Sequence, residues 1–142
     1  MDSTCKITVS DFQIDISVRI SDINYGGHLG HAELIKITHQ ARLKFFSKFG
    51  LSENNIEGAG VIVKHLSVEY KAEAFFDEML TIHIRIAEIT KTYCIFSYEI
   101  FKNNTIRAAS VLETILFMNY KSRRIVRVPQ AIHNLKKGWQ LE

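Results

Sequence analysis

One change of hydrophobic period constrains this chain most. Phe12, Ile14, Ile16, Val18 and Ile20 alternate with Gln13, Asp15, Ser17 and Arg19, the spacing of a strand with one buried face. A polar stretch with three Gly follows over residues 21–30. Then Leu34, Ile37, Ala41 and Phe45 recur at steps of three and four, with Ile35 and Phe46 beside that stripe. This spacing predicts one long helix over about residues 31–49, ended by a left-handed Gly50, with Lys44 and Lys48 suited to the dipole of its last turns. Such a helix runs roughly 30 Å. Its apolar surface is wider than a narrow stripe, so something large must wrap it.

The remaining chain supplies the wrapper. Residues 60–70 alternate, with Ile62, Leu66, Val68 and Tyr70 predicted on one side. Residues 79–89 set Leu80, Ile82, Ile84 and Ile86 opposite Thr81, His83 and Arg85, and residues 93–101 form a further strand. The last run, 106–120, is apolar on both faces (Val111, Ile115 and Phe117 against Leu112, Leu116 and Met118), which predicts a central strand. Asn103-Asn104 and Thr90-Lys91-Thr92 are hairpin turns, Phe75-Phe76-Asp77-Glu78 a looser corner, and residues 130–137 a final helical turn or two. Strand, helix, then an antiparallel meander is an α+β architecture of about five strands, in which the sheet curls around the helix.

Composition removes several classes. A chain of 142 residues with 46% hydrophobic and 23% charged residues, one Pro and seven Gly is an ordinary globular composition, here taken as a single domain over 1–142. The net charge of +3 comes from scattered Lys and Arg, so no nucleic-acid partner is expected. Lys121, Arg123, Arg124 and Arg127 cluster, as a solvated turn or a phosphate contact. Two cysteines, Cys5 and Cys94, make no disulfide framework, which points to a reducing cytoplasm. No signal-peptide pattern and no apolar run near the ~18 residues of a membrane span are present, so no membrane partner is expected.

Three segments carry a family resemblance. Val18-Arg19-Ile20-Ser21-Asp22-Ile23-Asn24-Tyr25-Gly26-Gly27-His28-Leu29-Gly30-His31 is similar to a "VRFSDTDAMGHVNN" pattern. His39-Gln40-Ala41-Arg42-Leu43-Lys44-Phe45 is similar to "EEARLEF", and Val68-Glu69-Tyr70-Lys71-Ala72-Glu73-Ala74 with Asp77-Glu78 to "IDYLRPARFGDEL". In this order the segments resemble the hotdog superfamily, most closely its 4-hydroxybenzoyl-CoA thioesterase-like acyl-CoA thioesterases. The resemblance implies a hotdog fold, an acyl-CoA or acyl-carrier thioester substrate, no cofactor, and a homodimer or a tetramer of dimers with the acyl site between protomers.

The resemblance also places a site. The family's catalytic Asp falls on Asn24, and its oxyanion-binding amide falls near His31, with the Gly26-Gly27 turn leading in. An Asn side chain is neither a carboxylate nucleophile nor a base. The acid that other hotdogs carry on the helix falls on His39 and Gln40. His28 or His31 is therefore the candidate base, with Asn24 positioning water or binding the carbonyl. Asp22 is either a loop-ordering carboxylate or, with His28, part of a hydratase-like "D-x-N-P-x-H" pattern that lacks the Pro and has its His one position late. Tyr25, Gly26, Gly27 and His39 are candidate substrate contacts. Val61, Val63 and His65 would come from a second protomer on the face opposite Ile62 and Leu66, and Lys91 would meet the CoA nucleotide. His28, His31 and Asp22 match no metal motif of known spacing, so no metal is expected. Loss of both customary carboxylates leaves a non-catalytic acyl-thioester-binding protein as the alternative to a hydrolase.

Overall fold

The computed structural model describes residues 12–141, with side chains through residue 135. Cys5 lies outside them. The elements are β1 (Phe12–Ser17), a 3-10 turn (Ile20–Asp22), α1 (His31–Lys48), β2 (Gly60–Tyr70), β3 (Met79–Ile89), β4 (Cys94–Lys102), β5 (Ile106–Asn119), β6 (Arg124–Val126) and α2 (Gln130–Leu141). All strand pairs are antiparallel, in the order β1-β3-β4-β5-β2, with β6 beside the far end of β5.

The helix ends as its sequence predicts. Gly50 adopts φ +74, the Leu51 amide donates to Phe46 O and the Gly50 amide to Ser47 O. These two bonds satisfy carbonyls that α1 would otherwise leave open. The helix buries Leu34, Ile37, Ala41, Phe45 and Phe46 against one face of the sheet. There Leu80, Ile82, Ile84 and Ile86 of β3 meet Phe96, Tyr98 and Ile100 of β4 and Val111, Ile115 and Phe117 of β5. Ile84, Tyr98, Val111 and Val68 form one cross-strand row. Phe45 packs edge-on to Phe96 at 5.4 Å and to Phe12 at 5.7 Å. Each such fully buried side chain contributes about 1.5–3 kcal/mol.

Two details differ from the sequence pattern. A register shift between Val63 and His65 inserts a bulge at Lys64, and an extra residue reverses the alternation. Val61, opposite Phe117, therefore joins Leu66 and Val68 against the core, whereas Ile62 pairs with Leu116 on the outer side. Val63, opposite Ile115, shares the face of Val61 and Leu66, so the expected grouping of Val61, Val63 and His65 opposite Ile62 and Leu66 is corrected: only His65 lies opposite Leu66. Second, six strands are present. Arg123, at φ 61, turns the chain so that Arg124–Val126 pairs with β5. β5 is central as predicted, yet Leu112 on its outer face is 50% exposed.

Candidate functional site

The loop between β1 and α1 is built by its polar side chains. Asp22 is buried, and its carboxylate accepts from the Arg19 amide at 2.8 Å and from the Arg19 guanidinium at 3.2 and 3.3 Å. Its carbonyl accepts from the Gly30 amide at 3.0 Å. Two residues on, Asn24 Oδ1 accepts the Gly26 amide at 2.9 Å, the Asn24 carbonyl accepts the Gly27 amide, and the Asn24 amide donates to His28 O. Such an Asx turn fixes the side chain of Asn24. Gly27 turns the corner at φ +84, a conformation that costs other residues energy.

The loop delivers the chain to the α1 N-terminus. Gly30 is its N-cap and supplies no side-chain cap. The first amides of a helix have no partner within it and carry the positive end of its dipole.

A cleft of about 370 Å³ opens at this terminus. One wall is Asn24, His28, Leu29, His31 and Leu34, from the loop and the start of α1. The other is Tyr70 through Ala74 at the end of β2, over a floor of Ala108 and Ala109 on β5. Backbone bonds lock the walls together. The Leu29 amide donates to Ala74 O at 2.8 Å, and the Lys71 and Ala72 amides donate to Ala108 O. Tyr70 Oη donates to His31 O at 3.2 Å. Partial burial pushes the Tyr70 phenol up, so it stays a donor.

His28 has two distinct ring nitrogens here. Nδ1 lies 3.1 Å from Leu29 O, an acceptor, so Nδ1 carries the proton in the neutral ring. Nε2 is then the basic atom, and Glu73 Oε2 lies 3.6 Å from it. Asn24 Oδ1 accepts the Gly26 amide in its turn, and among the described residues no hydrogen bond uses the Nδ2 donors, which are available to a ligand.

Asn24, His28 and His31 line one wall of the cleft. Asp22 does not line the cleft, because Arg19 consumes its carboxylate. His39 lies away from the cleft, bonded through Nε2 to Glu53 Oε2 at 2.8 Å beside Leu43 and Ser52. Tyr25 is fully exposed at the loop tip with Gly26 and Gly27. Val61, Val63 and His65 sit on β2, which is an edge of the sheet, back along the strand from Tyr70. Lys91 is in the β3–β4 turn, at the end of the sheet remote from the cleft by roughly 20–25 Å of strand. The sequence reading missed Glu73, Tyr70 and the Ala108-Ala109 floor. A pair of small residues in an otherwise bulky strand was the available signal for the floor.

A long helix wrapped by a curled antiparallel sheet, with a cleft at the helix N-terminus, defines a hotdog protein. The sequence profile of the thioesterase-like superfamily matches residues 18–135, and the chain belongs to that superfamily. It is similar to the acyl-CoA thioester hydrolase YbgC of Escherichia coli, at 28% identity over 105 residues, covering 71% of this chain and 78% of the relative. A DHNA-CoA thioesterase from Staphylococcus aureus superposes with a TM-score of 0.82 at 20% identity, covering 92% of this chain and 91% of that one. A 1,4-dihydroxy-2-naphthoyl-CoA thioesterase from Synechocystis superposes with a TM-score of 0.80 at 19% identity, over 88% and 94% of the two chains. Among the described residues no helix is long and apolar enough to cross a membrane.

Proposed function

We propose that this chain hydrolyses an acyl-CoA thioester in the cleft at the α1 N-terminus. The observation that carries the reading is an uncapped helix start opening beside Asn24 and His28 onto an alanine floor. The thioester carbonyl oxygen would accept from the first α1 amides and from Asn24 Nδ2. These preorganised donors stabilise the oxyanion as it forms. His28 Nε2 takes a proton from water as the water oxygen bonds to the carbonyl carbon. On collapse the C–S bond breaks, and the same proton passes from Nε2 to the departing sulfur. His31, on the same wall, is the second candidate base.

The substrate assignment rests on the E. coli relative's activity, and an acyl carrier protein is the alternative carrier. In this reading two copies pair through the open β2 edge, the strand that carries Val61, Val63 and His65. Cys94, a buried free thiol, fits a reducing cytoplasm. One observation favours a non-catalytic acyl-thioester binder instead: Asn24 stands where the family has its Asp and is locked in a turn. The test is thiol release from a panel of aliphatic and aromatic acyl-CoAs, with binding followed in parallel. Turnover that falls at least tenfold in His28→Ala supports the hydrolase. Binding without turnover of any acyl group supports the binder.

A further inference from the structure

Among the described residues that line the cleft, Glu73 is the sole carboxylate. It comes from the segment after β2, not from the loop or helix where the family carries its acids. Its backbone is held from three sides. Lys102 Nζ donates to Glu73 O at 2.6 Å, the neighbouring Ala74 O accepts from Leu29, and the Lys71 and Ala72 amides are tied to Ala108 O. The Leu29–Ala74 bond sets the segment directly beside His28. The Glu73 side chain is 64% exposed and the His28 side chain 33% exposed, with Oε2 and Nε2 at 3.6 Å.

We propose that Glu73 is a positioning residue that supplies, through His28, the negative charge the loop lost with Asn24; this inference rests on the hydrolase reading above. Leu29 O holds Nδ1–H and so aims the Nε2 lone pair at the cleft. When Nε2 takes the proton of the attacking water, the ring becomes cationic next to the Glu73 carboxylate. That attraction exists only after the proton has moved, so it favours the transition state over bound substrate. Glu73 takes no part in the transfer itself, since the proton moves only between water, Nε2 and sulfur. When Nε2 returns the proton to the leaving sulfur, the ring is again neutral. The other polar groups lining the cleft are His31 from α1, Asn24 from the loop, Tyr70 at the end of β2 and Lys71 just after it. Lys71 is the one fixed cation among them, and it is drawn off toward Glu69 at 3.2 Å. An acyl-CoA seated over the cleft would exclude water and strengthen the pair.

The test compares steady-state kinetics of the parent, Glu73→Gln and Glu73→Asp, with Glu73→Gln repeated in a His28→Ala background. A unit charge at this separation in a wet site is worth about fivefold in rate. Glu73→Gln is expected to lower kcat about fivefold with KM nearly unchanged, and Glu73→Asp to restore most of it. In the His28→Ala background Glu73→Gln is expected to change nothing, since the partner it acts through is gone. An unchanged kcat in Glu73→Gln, a change confined to KM, or the same loss without His28 overturns the pairing while the hydrolase reading stands. A parent with no turnover overturns both.

Discussion

Replacing Arg42 by Met should unsettle the protein more than its single position on α1 suggests. Arg42 is 4% exposed and joins three elements. Its Nη1 donates to Glu113 Oε2 of β5 at 2.7 Å, and its Nε to Glu53 Oε1 in the segment after the helix at 2.8 Å. Glu113, also 4% exposed, accepts from Tyr98 Oη at 2.6 Å. Burial works against the Arg42 charge, but hydrogen bonds to Glu53 and the charge of Glu113 outweigh it and raise its pKa. Removing the cation strands the Glu113 carboxylate under the helix with only the Tyr98 hydroxyl. Breaking one side of a buried pair costs about 3–5 kcal/mol. For 142 residues the unfolding entropy is about 0.3 kcal/mol per degree, so the midpoint should fall by about 10–15 °C. Arg42→Met with Glu113→Gln should recover more than half, because the most deeply buried charge is gone, Tyr98 keeps an acceptor and Glu53 keeps His39. Urea and thermal unfolding followed by circular dichroism measure both variants. A single-variant cost below about 1 kcal/mol, or a double variant no better than the single, refutes the picture of a desolvated network.

Two further outcomes follow from the same region. Partial burial works against the Glu53 carboxylate, but its bonds to Arg42 and His39 outweigh that and hold its pKa low. A depressed folded pKa adds stability that is present above the unfolded value of about 4.3 and is lost as pH falls through the lower folded value. Glu53→Gln should therefore unfold at lower urea than the parent at pH 7, with the two converging near pH 3; a constant difference across that range would count against the assignment. Burial, with a smaller contribution from Glu113 that Arg42 opposes, pushes the Cys94 thiol up to about 12. In a Cys5→Ser background a disulfide reagent at pH 8 should react with the folded protein no faster than it unfolds, and immediate labelling would show that Cys94 is accessible.

Local patterns settled a large part of this protein before any contact was known. The switch from period two to period 3.6 located α1 to within a residue, and Gly50 marked its end, because both signals depend only on neighbours within one or two turns. The alternation of Leu80 to Ile86 identified the buried side of β3, and Asn103 and Asn104 do adopt the left-handed turn their types suggest. The loop from Asp22 to Gly30 stood out through its order of residue types, and three of its residues, Asn24, His28 and Leu29, line the cleft. What stayed hidden depends on residues far apart in the chain. The bulge at Lys64 decides which of Val61 and Ile62 faces the core, and one inserted residue leaves little trace in an apolar strand. His39 is held by Glu53, fourteen residues on, which turns it away from the cleft. Glu73 meets His28 only because the end of β2 is bonded to the loop through Leu29 and Ala74. The sequence alone thus determined α1, five of the six strands, their order and the loop that lines the cleft. Only the tertiary structure decided which side chains share that cleft, because register and loop docking are properties of the assembled sheet rather than of any single segment.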